Sequence, residues 1–352
     1  MMTQPASDRF QLARRLLAIK QDVSRDVVDQ FFTAHPEWDA RFGDHGRLQT
    51  ANDTCFHIDF LAGAIEAGSP DAFGDYSRWS ARVLGSRGMD ARLLEEHLSR
   101  IQERLFVQLM PPDRETVAAY MDTGRNACIQ PAPNPDSTEP ANLTARAFLA
   151  AILAGRRLAA LQIVEQTLND GQPLTDVYVD VLAASLHAVG RLWEMNRITV
   201  AQEHMATAIA QYVLAAIYPR MDPPQHPCGS MVVTGVAGEQ HQIGANLVAD
   251  AMEAQGWAVR FLGTNLPHPS VINAIQEVKA EVLCISTTLV SNLPSVAELI
   301  KLVRARLGVQ APRIVLGGAA YRHAPDFLQQ VGPVEFFSDL RRALAMLNSP
   351  QN

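Results

Sequence analysis

Four short runs of consecutive apolar, β-favouring residues mark the last third of the chain: Met231-Val232-Val233-Thr234, Ala258-Val259-Arg260-Phe261-Leu262, Val282-Leu283-Cys284-Ile285 and Ile314-Val315-Leu316. Helical spacing of apolar residues separates them, over 245–255, 269–279 and 295–307, and Glu335-Phe336-Phe337 reads as a fifth short strand. Strands alternating with helices predict right-handed crossovers and a parallel sheet covered on both faces. Upstream the period changes to that of helices alone. Residues 143–154, 158–168, 177–193 and 201–218 carry apolar stripes, with Gly171-Gln172-Pro173 as one turn, and predict a four-helix bundle. Residues 8–128 contain no strand signal; helices are expected over 10–34, 50–67, 70–86, 90–109 and 114–123. Ser69-Pro70-Asp71 places Pro in a first turn, and Arg87-Gly88-Met89-Asp90 supplies a Gly stop followed by a new N-cap.

The segment from Gln130 to Pro140 holds four prolines among polar residues and predicts an extended linker. The domain plan is therefore residues 1–128, a linker at 129–141, a bundle at 142–221 and an α/β domain at 228–352. The fold class is α + α/β, with a flavodoxin- or Rossmann-like parallel sheet at the C-terminus. A length of 352 residues with 47% hydrophobic content supports that many cores. A net charge of −7 and no Lys/Arg run give no footprint for nucleic acid. Cys55, Cys128, Cys228 and Cys284 stand far apart without metal-type spacing, as reduced thiols do. No apolar leader core or membrane-length run is present, so the expectation is a cytoplasmic protein with no membrane partner.

Chemistry enters at the strand ends. Glu239-Gln240-His241-Gln242-Ile243-Gly244 occupies the turn after the first predicted strand, Ser286-Thr287-Thr288 follows the third, and Gly317-Gly318 follows the fourth. Ligands of open parallel sheets bind beyond the carboxyl ends of the strands, where all three elements fall. A loop imidazole can ligate a transition metal through one neutral nitrogen while an acceptor fixes the other, and Glu239 is near enough to be that acceptor. The three elements resemble the cobalamin-binding motif Asp/Glu-x-His-x-x-Gly … Ser-x-Leu … Gly-Gly, with Thr288 in place of the usual Leu. The resemblance implies His241 as the lower cobalt ligand. It also implies that Gly244, Ser286, Thr288, Gly317 and Gly318 make room for the displaced nucleotide tail.

In the bundle, Trp193 precedes Glu203-His204 in a Trp-x9-Glu-His pattern. This is similar to the adenosyl-pocket signature of the CarH/LitR-type light-responsive cobalamin regulators. It implies that Trp193 caps the upper corrin face, Glu203 bonds the ribose and His204 lines the same pocket. Two departures stand out. Glu194 occupies the position where those regulators often carry a second cobalt-ligating His, and no DNA-binding helix-turn-helix is read here.

In the N-terminal region His57 shares a helical face with Leu61 and Ile65, and His97 with Leu94 and Ile101, so both imidazoles are expected to point inward. Tyr76, Trp79 and Phe73 can line the same space. Three readings stay open. A haem needs His57 or His97 as an axial ligand. A bilin needs aromatic walls, a His or Asp at the pyrrole nitrogens and an Arg such as Arg82 for its propionates. A cofactor-free interaction domain needs only satisfied core histidines. The helix order, with Phe73-Gly74-Asp75-Tyr76-Ser77-Arg78-Trp79 before Arg87-Gly88, resembles globin-like sensor domains. The whole arrangement resembles the photocobilins, which implies biliverdin in the N-terminal domain and adenosylcobalamin in the C-terminal half. The expected function is a non-enzymatic light sensor whose output passes through a homo-oligomer or a downstream signalling protein. The alternatives are a corrinoid carrier of a methyltransferase system and a haem or redox sensor with a cobalamin input.

Overall fold

A computed structural model describes residues 6–130, 139–220 and 226–347. The N-terminal helices are α1 (Ala6–Ala34), α2 (Pro36–Ala67), α3 (Pro70–Gly85), α4 (Ala91–Gln108) and α5 (Pro111–Ile129). Ser69 and Asp90 cap α3 and α4 as their chemistry predicts, accepting from Ala72 N–H and Arg92 N–H. The expected start of the second helix at residue 50 is corrected. Helix α2 begins at Pro36 and breaks at Gly43, whose φ of 53 combined with a ψ of −145 suits only glycine. The polar, glycine-containing stretch before residue 50 hides that first half. The last helix likewise starts earlier, because Pro111 fits a first turn, and it runs to Ile129. Of the proline-rich linker, residues 131–138 lie outside the described residues.

The bundle consists of α6 (Leu143–Leu153), α7 (Arg157–Asn169), a long third member and α10 (Val200–Ile217). The third member is composite: α8 (Leu174–Asp176), a π-helical turn over Val177–Ala183, then α9 (Ala184–Glu194). A capping box between Thr199 and Gln202 starts α10. The α/β part alternates β1 (Ser230–Thr234), α11 (Ile243–Ala254), β2 (Ala258–Phe261), α12 (His268–Val278), β3 (Val282–Ser286), α13 (Leu293–Leu307), β4 (Arg313–Gly317), α14 (Pro325–Gln330), β5 (Glu335–Phe337) and α15 (Leu340–Leu347). All pairings are parallel, in the order β2-β1-β3-β4-β5. The strand order turns back at β1 and β3, which makes their carboxyl ends the natural ligand edge.

The chain folds into two compact units that do not follow the order of its helices and strands. One comprises Met1–Ala132, Thr287–Lys301 and Ala319–Pro333; the other comprises Pro133–Ser286, Leu302–Gly318 and Val334–Asn352. In the second unit, bundle and sheet share one hydrophobic core, in which Phe148, Tyr178, Val213, Met231, Met252 and Val315 are all buried. In the first, Leu16, Ile58, Leu61, Phe73, Leu98 and Met121 form the core, and Val290 from the segment after β3 packs against it.

Candidate functional site

The turn after β1 is built by glycines and one buried acid. Gly235 leaves no room for a side chain, since a Cβ there would lie 2.7 Å from the Thr264 methyl. Gly238 takes a φ of 91, and its N–H donates to the Asn265 side chain. Glu239 is fully buried. Its Oε1 accepts from the His241 backbone N–H at 2.9 Å and lies 2.6 Å from His241 Nδ1. The imidazole itself is half exposed, at 52%. A buried carboxylate on Nδ1 fixes the tautomer and leaves Nε2 as the nitrogen with a lone pair. Among the described residues no group of three or more His, Cys, Asp or Glu is placed to hold a metal ion. One oriented imidazole therefore suits a metal that a macrocycle already holds, and not a bare ion.

The other two motif elements meet in the sheet. Ser286 and Gly317 are direct partners across β3 and β4. Gly317 is small for a packing reason as well, since a Cβ there would lie 2.5 Å from the Phe337 ring. Gly318 has a φ of 112, which reserves that turn for glycine. Gly244, in the first turn of α11, has open space at its Cβ position, with nothing within 4 Å apart from its chain neighbours and its own helix backbone. Thr288 is half-buried, and its neighbour Thr287 is fully buried with Tyr321 Oη donating to it at 2.9 Å.

Trp193 closes the last turn of α9, partly buried against the shared core. Glu203 and His204 lie in the first two turns of α10, bonded to each other, and Thr207 Oγ1 also donates to Glu203. His204 is 75% exposed. The bundle is pinned to the sheet domain by polar contacts that sequence reading missed. Tyr178 Oη, on the π-helical turn, donates to Asp250 of α11 at 3.2 Å, and Asn246 donates to the same oxygen. Burial pushes Asp250 up to about 6. Arg341 of α15 bridges Asp176 and Asp180 at 2.8 Å each. The only sequence signal was a lone acid in the apolar run Ala249-Asp250-Ala251. A groove of about 660 Å³ between α10, α11 and β2 is lined by Tyr218, Asp250 and Phe261 together with Gln242 and Ile243, the two residues between His241 and Gly244, but not by His241 or Gly244 themselves.

These arrangements coincide with two family matches. Residues 229–339 match the family described as B12 binding domain, and residues 144–218 match a second family with the same description. The chain is a cobalamin-binding protein. The sheet and the bundle are the two regions that these family models match. The protein is 24% identical over 173 residues to dimethylamine corrinoid protein 1 of Methanosarcina acetivorans, over 48% of this chain and 80% of the relative. It is 29% identical over 127 residues to the HTH-type transcriptional repressor CarA of Myxococcus xanthus, over 35% of this chain and 42% of the repressor. These relatives are corrinoid proteins and a repressor, not enzymes. In fold, the monomethylamine corrinoid protein of Methanosarcina barkeri aligns with a TM-score of 0.50 at 18% identity, over 57% of this chain and 94% of that one. No helix among the described residues is long and apolar enough to cross a membrane.

The N-terminal candidates are brought together inside one helical core. Tyr76 Oη lies 2.8 Å from His57 Nδ1, and Thr54 Oγ1 lies 2.9 Å from His97 Nε2. The two imidazoles stand 5.5 Å apart, centre to centre. Burial holds His57 down to about 3, helped by His97, and His97 down to about 4, helped by Arg100. Both are neutral rings with internal partners. Phe60 stacks on Tyr76 at 3.7 Å, and Tyr76 on Trp79 at 6.1 Å, while Arg82 is half-buried one turn beyond Trp79.

Proposed function

We propose that the chain is an adenosylcobalamin-dependent light sensor. The observation that carries the reading is Trp193 and the Glu203–His204 pair at the two sides of the α9–α10 connection, on a bundle sharing its core with the domain that presents His241. His241 is the lower ligand, oriented by Glu239. Ser286, Thr288, Gly244 and the Gly317-Gly318 pair accommodate the nucleotide tail, and Trp193, Glu203 and His204 receive the adenosyl group. When bound, adenosylcobalamin supplies a light-labile cobalt–carbon bond. The protein's part is to hold the nucleoside under Trp193 and to let the bundle move about its Tyr178–Asp250 and Arg341 contacts when that packing is lost. Signalling then passes to a partner or a second copy.

The N-terminal helices add a second pigment site, for biliverdin, walled by Phe60, Tyr76 and Trp79, with His57 and His97 near the pyrroles and Arg82 for a propionate. The test is an anaerobic absorption spectrum with adenosylcobalamin and biliverdin, before and after green and then red light. Corrin bands that change on illumination, beside a separate long-wavelength band, support the sensor. A corrin spectrum indifferent to light overturns it.

A second reading is favoured by the corrinoid protein of Methanosarcina acetivorans, most of whose length, 80%, is matched by this chain. In that reading the chain carries a methyl group between partner enzymes. Tight methylcobalamin binding with methyl transfer to a thiol acceptor, and no preference for the adenosyl form, decides for it.

A further inference from the structure

Helix α2 ends against segments that follow β3 and β4 in the chain. Gly63 comes so close to the turn at Val290 that a Cβ there would lie 2.2 Å from the Val290 carbonyl oxygen. Three residues later Glu66 is 2% exposed, and its Oε2 has no hydrogen-bond partner among the described residues. An acid this deep with one oxygen unpartnered is costly to ionise. Two cations of α1, Arg9 and Arg14, act on it. Those cations are faced in turn by Tyr120 of α5 and Asp326 of α14, both towards Arg9, and by Glu298 of α13 towards Arg14. Arg9, 14% exposed, reaches Asp326 at 3.4 Å and lies over Gly68, the left-handed cap of α2. The Nε of Arg9 is also without a partner. Two orphaned, oppositely polar atoms thus flank a weak salt bridge to α14. Arg14, facing Glu298 at 4.0 Å, makes a looser pair to α13.

We propose that Glu66 is a proton-operated latch that seats α2 on the segments after β3 and β4. With Glu66 protonated, Arg9 stays on Asp326 and the seat is closed. With Glu66 ionised, the buried charge draws Arg9 away from Asp326 and the seat loosens. Burial places the Glu66 transition at about 7, against the opposing pull of Arg14 and Arg9. The closed form therefore binds the proton more tightly than an opened form with an ordinary carboxyl, and rising pH favours opening. Between pH 6 and 8 that difference shifts the closed-to-open ratio about tenfold.

The test is hydrogen–deuterium exchange of the full-length protein, corrected for intrinsic rates, in peptides covering 287–301 and 319–333. Wild-type protection is expected to fall about tenfold from pH 6 to pH 8, most of it below pH 7, and to level off above that. Glu66→Gln keeps the neutral shape and is expected to stay protected throughout. Arg9→Gln is expected to loosen both segments at every pH, because Asp326 then lacks its partner. A pH step of unchanged size in Glu66→Gln overturns the proposal. If Glu66→Gln does not fold, the wild type decides: no step between pH 6 and 8, or no protonated-carboxyl infrared band at pH 6, overturns it as well.

Discussion

At the residue scale the decisive contact is two positions long. Glu239 and His241 sit in one turn, so their pairing was legible from the sequence, and its structural form is a buried carboxylate on Nδ1. Glu239→Gln keeps the shape but removes the charge; cobalamin affinity is expected to fall about 10- to 100-fold by titration, as loss of an outer partner of a metal-bound His does. Trp193→Ala is expected to abolish the preference for adenosylcobalamin over hydroxocobalamin in competition binding while His241 still binds; an unchanged preference removes Trp193 from the pocket. Other residues were not legible. Asp250 and Glu66 each sit in apolar helical runs, and their significance depends on Tyr178 and Arg9, which only the folded chain brings near. Gly317 was read for the space it gives a ligand, whereas Phe337 also claims that space.

At the element scale the five strands and the helices between them emerge where their apolar runs predicted, because a doubly covered parallel sheet writes its strands as unbroken apolar segments. Helix α2 was only half visible, since Gly43 interrupts it and its first half is polar. Its second half carries the sharpest test of packing. Gly63→Ala in an unconstrained helix would add about 1 kcal/mol of stability from helix propensity alone. Against the Val290 carbonyl the sign reverses, and a loss of about 1–3 kcal/mol is expected in denaturant midpoints, the range for overpacking. A gain would mean that α2 and the turn at Val290 separate freely. The clamp of Arg341 on Asp176 and Asp180 is about half exposed. Arg341→Ala should therefore cost no more than about 1 kcal/mol, and its effect should appear in bundle motion before it appears in stability.

At the scale of the whole molecule, buried titratable groups oppose one another. His57 and His97 are held neutral far below the usual imidazole value. Unfolded, they take up protons below about 6.5, so their contribution is intact above that pH and is lost as pH falls towards 4. The loss is of order a few kcal/mol, and double replacement by Gln should flatten the acid limb of a thermal-melt profile. Glu66 is raised, so its contribution is complete below its ordinary value and fades as pH rises through about 7. A stability maximum near pH 7 is the expected sum of these three groups, where proton uptake by the two unfolded imidazoles equals that of folded Glu66. The linker prolines suggested separable modules, yet the two units trade segments: the stretches after β3 and β4 fold with the N-terminal helices. The consequence is one of ancestry. A domain joined only by a tether can be exchanged between genes in a single crossover. Here a transplanted N-terminal half would leave behind the Val290 turn and the Asp326 helix that pack on it, so such an exchange would succeed only if those two internal stretches changed with it.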